Sequence, residues 1–375
     1  LDTKQEIIRL YQQGVSYRDI ADTLNQNLNT DYWDCERVRN IIRRWRKKNN
    51  IVSANPQNVP AMSELQKIQI ERQKMRDEKS QLNKLLRDYS RIELMGEYIH
   101  NAVNKLSPLD IAPLSSVNID CKSELIVLFS DSQVGERVVG EELGGLNEYD
   151  VDVFKSRTNE YFSKVAYIAR HEGIRTINIF MLGDILDGIN VYKGQRPYLS
   201  EEVIDQLIIA AEYLSQVFYN LSQNFSIKLY GVIGNHGRVS YDQALDSTNY
   251  EYLLYRYIAE RLKGVPFEFG KSFIMPVEIM GHRYVLVHGD YMNNKENSLT
   301  RLYGLYPNTD MFVLGHWHVS EMKDVNNFEY VVNGCLVGGN MYSVKRFQSM
   351  VKPSQTCFVV TPEYPKWATY KVSLE

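Results

Sequence analysis

Residues Ile177–Gly188 read INIFMLGDILDG. A mostly apolar run of strand length meets Gly183, and two acids, Asp184 and Asp187, follow three positions apart. Four further apolar runs likewise end in residues that can hold a ligand. ELIVLFSDSQ ends at Asp131 and Gln133, IKLYGVIGNHG at Asn235 and His236, YVLVHGD at His288, and MFVLGHWH at His316 and His318. Helical patterns lie between them, near 151–171, 200–223 and 248–263. Short apolar strands alternating with helices specify a largely buried sheet, and in such sheets ligands sit beyond the carboxyl ends of the strands. Every polar cluster named above is at such an end. They are therefore expected along one edge of one sheet.

The histidines sharpen this. The chain has seven, and two of them, His316 and His318, flank a single tryptophan. Alternate residues of an extended segment point to the same side, so both rings can reach one object, and a metal ion or an anion is the usual one. For an isolated H-x-H the exposed face of an edge strand would be the better reading. Four histidines and several oxygen donors at successive strand ends outweigh it. His100, His171 and His282 fall in helices or ahead of a strand and read as surface or structural residues.

Length and composition set the frame. The 375 residues are 44% apolar and 24% charged, which suits a soluble globular protein of two or three domains. No apolar run approaches the roughly 20 residues needed to span a bilayer, so no membrane association is expected. The first residues, LDTKQEIIRL, do not resemble a signal peptide. Cys35, Cys121, Cys335 and Cys357 are widely spaced, which argues against a disulfide framework or a zinc ribbon and for a reducing cytoplasm.

The first 50 residues read as a separate helical domain. KQEIIRLYQQG is stopped by Gly14, SYRDIADTLNQ starts at Ser16 as an N-cap, and ERVRNIIRRWRKK follows. In the last of these, Val38, Ile41, Ile42 and Trp45 form an apolar stripe. Arg37, Arg39, Arg43, Arg44, Arg46, Lys47 and Lys48 stand against one acid. The order of these helices, and GVSYRDIADTLN in particular, resembles the helix-turn-helix modules of resolvase-like and sigma-factor-like DNA-binding domains. That resemblance implies a last helix that enters the major groove, with the seven basic residues as its DNA contacts. Such a face also neutralises phosphate without reading sequence.

Residues 51–117 read as linker and spacer. IVSANPQNVPA (51–61) and SPLDIAPLSS (107–116) carry the prolines, and between them 63–106 can form one helix on the order of 60 Å long. Leu82, Leu85, Leu86, Tyr89, Ile92 and Ile99 give it a partial apolar stripe. It can pair with a second copy as a coiled coil, making a homo-oligomer, or dock on the domain that follows. Its short, irregular heptads favour docking.

Taken in series, D-x-Q, G-D-x-x-D, G-N-H, H-G and G-H-x-H resemble the motifs of the calcineurin-like metallophosphoesterases over about 250 residues, 118–375. The resemblance implies an α/β sandwich of two mixed sheets flanked by helices and two divalent metal ions. Manganese is the expected ion, with magnesium, iron and zinc as alternatives. It implies that Asp131, Gln133 and His318 hold the first ion, that Asp184 bridges, and that Asn235, His288 and His316 hold the second. His236 would protonate the leaving oxygen, and Asp187 would orient His236. Two departures stand out. Gln133 replaces the usual histidine, which makes for a weaker first site or one that favours manganese or magnesium over zinc. Gly237 stands where an acid often follows.

Fold alone does not choose a substrate. The basic helix, together with VYKGQRPY (191–198) and MYSVKRFQSMVK (341–352), where aromatics alternate with cations, favours a DNA phosphodiesterase, a nuclease. A helix-turn-helix joined to a phosphoesterase also looks like proteins carried by bacteriophages. A phosphatase or small phosphodiesterase acting on nucleotides or phosphoproteins is the alternative. A non-catalytic DNA-binding or assembly protein is a third reading.

Overall fold

The computed structural model describes residues 3–28, 30–48, 64–106, 109, 123–239 and 248–375. It forms two compact units, Leu1–Asp77 and Glu78–Glu375. Both expected linkers, apart from Leu109, lie outside the described residues, as do the side chains of Lys47, Lys48, Leu85 and Tyr89.

In the first unit, α1 (Thr3–Gln12), α2 (Tyr17–Leu28) and α3 (Cys35–Lys48) enclose Ile7, Ile20, Ala21, Leu24, Val38 and Ile42. Gly14, at φ +84°, makes the first turn, and Ser16 Oγ caps α2 by accepting from the Asp19 amide at 3.2 Å. The stripe of α3 is narrower than the sequence suggests. Val38 and Ile42 are buried, whereas Ile41 and Trp45 are half-buried.

α4 (Glu64–Val103) is continuous. Within the second unit its residues Ile92, Met95, Ile99 and Val103 pack into the main core, while Leu82 and Leu86 are exposed. The expected stripe is thus half right. A helical face drifts about 20° per heptad against a seven-residue repeat, and the residues that dock are those nearest α7, where Gly96 faces Leu253.

The rest is a sandwich. β1 (Glu124–Phe129), β2 (Thr176–Met181), β3 (Ser226–Gly231) and β4 (Phe267–Phe269) run parallel. β1 also pairs antiparallel with β10 (Ser354–Val360), which pairs with β11 (Ala368–Ser373). The second sheet has the order β5 (Ile274–Ile279), β6 (His282–Val287), β7 (Met311–Leu314), β9 (Phe328–Val332), β8 (Glu321–Val325), with β6, β7 and β9 parallel. Alternation along the strands assigns each side chain a layer. Ile126, Leu128, Phe180, Tyr284, Leu286, Met311 and Val313 meet between the sheets. Leu125, Val127 and Phe129 face α5 (Val151–His171), α6 (Val203–Ser222) and α7 (Tyr250–Arg261) on one outer side. Val285, Val287, Phe312 and Leu314 face α8 (Lys295–Leu305) on the other. A short α9 (Met341–Phe347) precedes β10. The five motif strands therefore belong to two sheets, not one: β1, β2 and β3 to the first, β6 and β7 to the second. Parallel pairing within each sheet still brings their carboxyl ends together.

One buried cation braces this end. Arg157 of α5 donates to Leu336 O at 3.0 Å, Val337 O at 2.8 Å and Asn147 Oδ1 at 3.0 Å, and the Leu336 amide in turn donates to Asp131 O at 3.1 Å. Arg157→Met leaves buried carbonyls unpaired and is expected to cost about 2–4 kcal/mol. Urea unfolding of the variant checks this, and a midpoint equal to that of the parent would refute it.

Candidate metal centre

All seven candidate ligands lie in the loops just beyond the strand ends. Asp131 and Gln133 follow β1, Asp184 follows β2, Asn235 follows β3, His288 directly follows β6, and His316 and His318 follow β7. Among the described residues, ten that are not glycine have positive φ, and five of these are Asp131 (51°), Gln133 (39°), Asp184 (52°), His316 (70°) and His318 (59°). Such backbone costs energy for any side chain with a Cβ and concentrates at functional sites. It also revises the reading of H-x-H. The strand ends at Leu314, and the two rings are aimed by left-handed residues on either side of Trp317, not by strand alternation. They consequently reach different places.

His316 faces one group. Ligand atoms of Asp184, His288 and His316 lie within 4.8 Å of one another, and the His288 and His316 rings are 5.1 Å apart. His288 Nε2 lies 3.0 Å from Asp184 Oδ2 and 3.1 Å from Asn235 Oδ1, while its Nδ1 donates to Leu182 O at 2.7 Å. That last bond leaves Nε2 as the ligating atom. His318 faces the other group: its Nε2 is 3.4 Å from Asp131 Oδ1 and 3.4 Å from Gln133 Nε2. Asp184, in the first of these groups, is 1% exposed.

His236 and Asp187 form a dyad beside them. His236 Nδ1 lies 3.1 Å from Asp187 Oδ1 and 2.9 Å from Asp187 O, and Asp187 Oδ2 accepts from Gln195 Nε2 at 3.0 Å. The His236 amide donates to Asp184 Oδ1 at 2.8 Å. Its Nε2, 3.9 Å from Asp184 Oδ2 and 3.4 Å from Gln133 Nε2, points into the centre. The packing requires glycine at Gly234, where a Cβ would fall 2.2 Å from Asp184 Oδ1.

This donor set fits divalent cations. Imidazoles, carboxylates and amide oxygens are the ligands that manganese and its neighbours accept. One buried acceptor, Gln133 Oε1, has no hydrogen-bond partner, which a cation beside it would supply.

Sequence reasoning missed two buried acids. Glu251 of α7 accepts from the Ile185 amide at 2.5 Å and the Gly234 amide at 2.6 Å, so it fastens the loop after β2 to the loop after β3. Glu136 accepts from Asn340 Nδ2 at 2.5 Å. Burial raises both to about 7, Asp184 adding to the effect at Glu251 and Asp187 at Glu136. The signal for Glu251 was its place in the first turn of a helix after G-N-H. No local pattern marks Glu136.

The basic residues of α3 are divided. Arg39, Arg43 and Arg44 are exposed, although Arg39 also lies over Tyr17. Arg37 pairs with Asp34 at 3.7 Å and sits over Tyr32, and Arg46 stacks over Tyr11. Part of the charge that the sequence assigns to DNA is thus engaged within the first unit.

No family model matches the chain. Over 297 residues it is 22% identical to the SPbeta prophage-derived uncharacterized protein YonJ of Bacillus subtilis (strain 168), covering 75% of this chain and 72% of that protein. Among solved structures it is similar to one described as a novel archaeal phosphodiesterase, with a TM-score of 0.35 and 12% identity, covering 67% of this chain and 99% of that one. Vacuolar protein sorting 29 from Cryptosporidium parvum overlaps with a TM-score of 0.34 and 14% identity, covering 67% and 96%. At these values no family follows, and the chemistry rests on the residues themselves.

Electrostatics makes the metal-stripped centre sensitive to pH. Burial opposes the charge of His236, but the attraction of Asp184 and the bond to Asp187 outweigh it and raise it from 6.5 to about 9. His288, buried beside Asp184, is raised from 6.5 to about 10. Burial and the His288 charge push His316 down to about 4. Groups with raised values contribute stability that is fully present below pH 6.5 and is lost as pH rises through 9 to 10. The melting temperature of chelator-treated protein is expected to fall across that window. Added Mn2+ should flatten the fall, since cations replace the protons. A flat profile for the stripped protein would contradict this charge arrangement.

Proposed function

We propose that the chain is a divalent-metal phosphodiesterase and that DNA is its substrate. The observation that carries this reading is the gathering of Asp131, Gln133, Asp184, Asn235, His288, His316 and His318 around the Asp187–His236 dyad. Asp131, Gln133 and His318 would hold one ion, Asn235, His288 and His316 a second, and Asp184 would bridge. Bound there, such ions neutralise phosphate oxygens and make an attacking water more acidic.

The remaining work falls to the chain's own groups. With Nδ1 bonded to Asp187, His236 presents Nε2 to the substrate, so its proton is held at that atom and passes to the leaving oxygen. The product is the neutral ring that keeps its proton on Nδ1, the form the Asp187 carboxylate favours. Gln195 fixes the other oxygen of that carboxylate. General acid catalysis of this kind contributes about 10²–10⁴-fold.

DNA as substrate is supported by the exposed arginines of α3, read as a phosphate-contacting helix of a helix-turn-helix module. The prophage-derived relative is consistent with a phage-borne protein. Free thiols at Cys35, Cys335 and Cys357 suit a reducing cytoplasm. No helix among the described residues is long and apolar enough to cross a membrane.

The test is hydrolysis by metal-stripped protein, with Mn2+ restored, of single- and double-stranded DNA beside bis(p-nitrophenyl) phosphate and a phosphomonoester. DNA is expected to be cut, and His236→Ala should lower the rate about 10²–10⁴-fold with metal content intact. Hydrolysis of the small esters alone would favour the phosphatase reading. Absence of all hydrolysis would favour a non-catalytic protein. The double variant Arg43→Glu, Arg44→Glu should weaken DNA binding and flatten its dependence on salt, which titration at several ionic strengths measures.

A further inference from the structure

The two stretches in which aromatics alternate with cations, 191–198 and 341–352, meet. Together with the segment 136–143 they form the walls of one cavity of about 320 Å3. That is at the lower edge of the roughly 300–1,000 Å3 typical of small-molecule sites. From the first stretch comes Tyr192. From α9 come Tyr342, Lys345 and Arg346, which at i, i+3 and i+4 share one helix face. The two tyrosine rings lie 5.1 Å apart, tilted by 38°. Glu136, 3% exposed, also lines the cavity; its Oε1 accepts from Asn340, and its Oε2 has no hydrogen-bond partner.

The cavity is joined to the dyad by short, buried connections. The Gln195 side chain accepts from the Val191 amide at 2.9 Å and donates to both Asp187 O and Asp187 Oδ2, so one amide holds the tyrosine-bearing loop and the acid that orients His236. On the other wall, the Glu136 amide donates to Gln133 O at 2.9 Å. A ligand in the cavity therefore lies beside the reacting centre.

Aromatic faces, a cationic rim and a buried acceptor lacking a donor together describe a nucleotide. A base stacks on tyrosine, lysine and arginine hold its phosphate, and a carboxylate accepts from an exocyclic amino group, as Glu does from cytosine N4. We infer that this cavity is a base-binding subsite that receives the nucleotide adjoining the scissile phosphate, with Tyr192 and Tyr342 as stacking wall, Lys345 and Arg346 as phosphate rim and Glu136 as acceptor for a base amino group. This rests on the phosphodiesterase reading above and names what such an enzyme grips.

Two measurements on the full chain with Mn2+ test it separately from that reading. The first is kinetic. Tyr342→Ala should raise KM for an oligonucleotide roughly 5- to 100-fold, the range of lost stacking, with kcat little changed. Tyr342→Phe should restore it, and kcat for bis(p-nitrophenyl) phosphate, which reports on the reacting centre alone, should be unaffected by either. The second is binding of dCMP and dTMP to His236→Ala protein by calorimetry. Tyr342→Ala should weaken both, and Glu136→Gln should remove a preference for dCMP. If DNA is cut and Tyr342→Ala leaves its KM unchanged, or lowers both substrates equally, the subsite is overturned and the phosphodiesterase reading stands. If no ester is cut yet mononucleotides bind through Tyr342, the cavity is a nucleotide site but the phosphodiesterase reading, and with it the place beside a scissile phosphate, falls. Failure of mononucleotides to bind, with no effect of Tyr342→Ala on DNA, overturns the subsite outright.

Discussion

The Asp184 carboxylate is the group on which the second unit's active end depends. It is 1% exposed and lies where the carboxyl ends of two sheets meet. Oδ1 takes the backbone amide of His236 from the first sheet's β3 loop, and Oδ2 meets the His288 ring from the second sheet. A buried, ionised carboxylate is costly unless it is paired, and here burial is outweighed by the charges of His288 and His236, which hold Asp184 well below the usual carboxylate range. The second sheet thus contributes the imidazole that the first sheet's acid needs.

Beneath Asp184, a second carboxylate sets the backbone. Glu251 accepts two amides, from the loops after β2 and β3, and the Asn249 side chain donates to Gly234 O at 2.8 Å. These bonds come from the start of α7, so the helix packed on the outside of the first sheet fixes the geometry at its edge. Arg157 does the same from α5 through the Leu336–Val337 carbonyls. The sandwich positions the centre by buried polar contacts from outer helices as much as by strand pairing.

Much of this was legible in the chain because strand ends carry local signals. An apolar run that ends in Asp, Asn or His, three times through a glycine, reads as a strand, a turn and a ligand, and all five such runs are placed as strands ending at the centre. The division of those strands between two sheets was not legible from their alternation, which records that a strand has two buried faces and not which partner covers each. Glu136 lies in a loop that carries no local signal, and Glu251 was hidden for another reason. A helix-start glutamate ordinarily reads as a solvated cap residue, and only the tertiary fold turns it inward. The H-x-H spacing suggested shared direction, and the chain instead uses two left-handed residues to send the rings apart. The exposed Leu82 and Leu86 show the limit of helical patterns where a long helix docks along only part of its length.

The left-handed backbone at positions 131, 133, 184, 316 and 318 has a consequence for the protein's history. Side chains branched at Cβ are poorly tolerated there, while glycine, asparagine, aspartate and histidine are comparatively free to enter. A lineage that ceased to need the centre would therefore drift at these five places through a small alphabet of compact polar residues. It would not drift toward valine or isoleucine. Divergent copies would keep the outline of the site long after losing its chemistry.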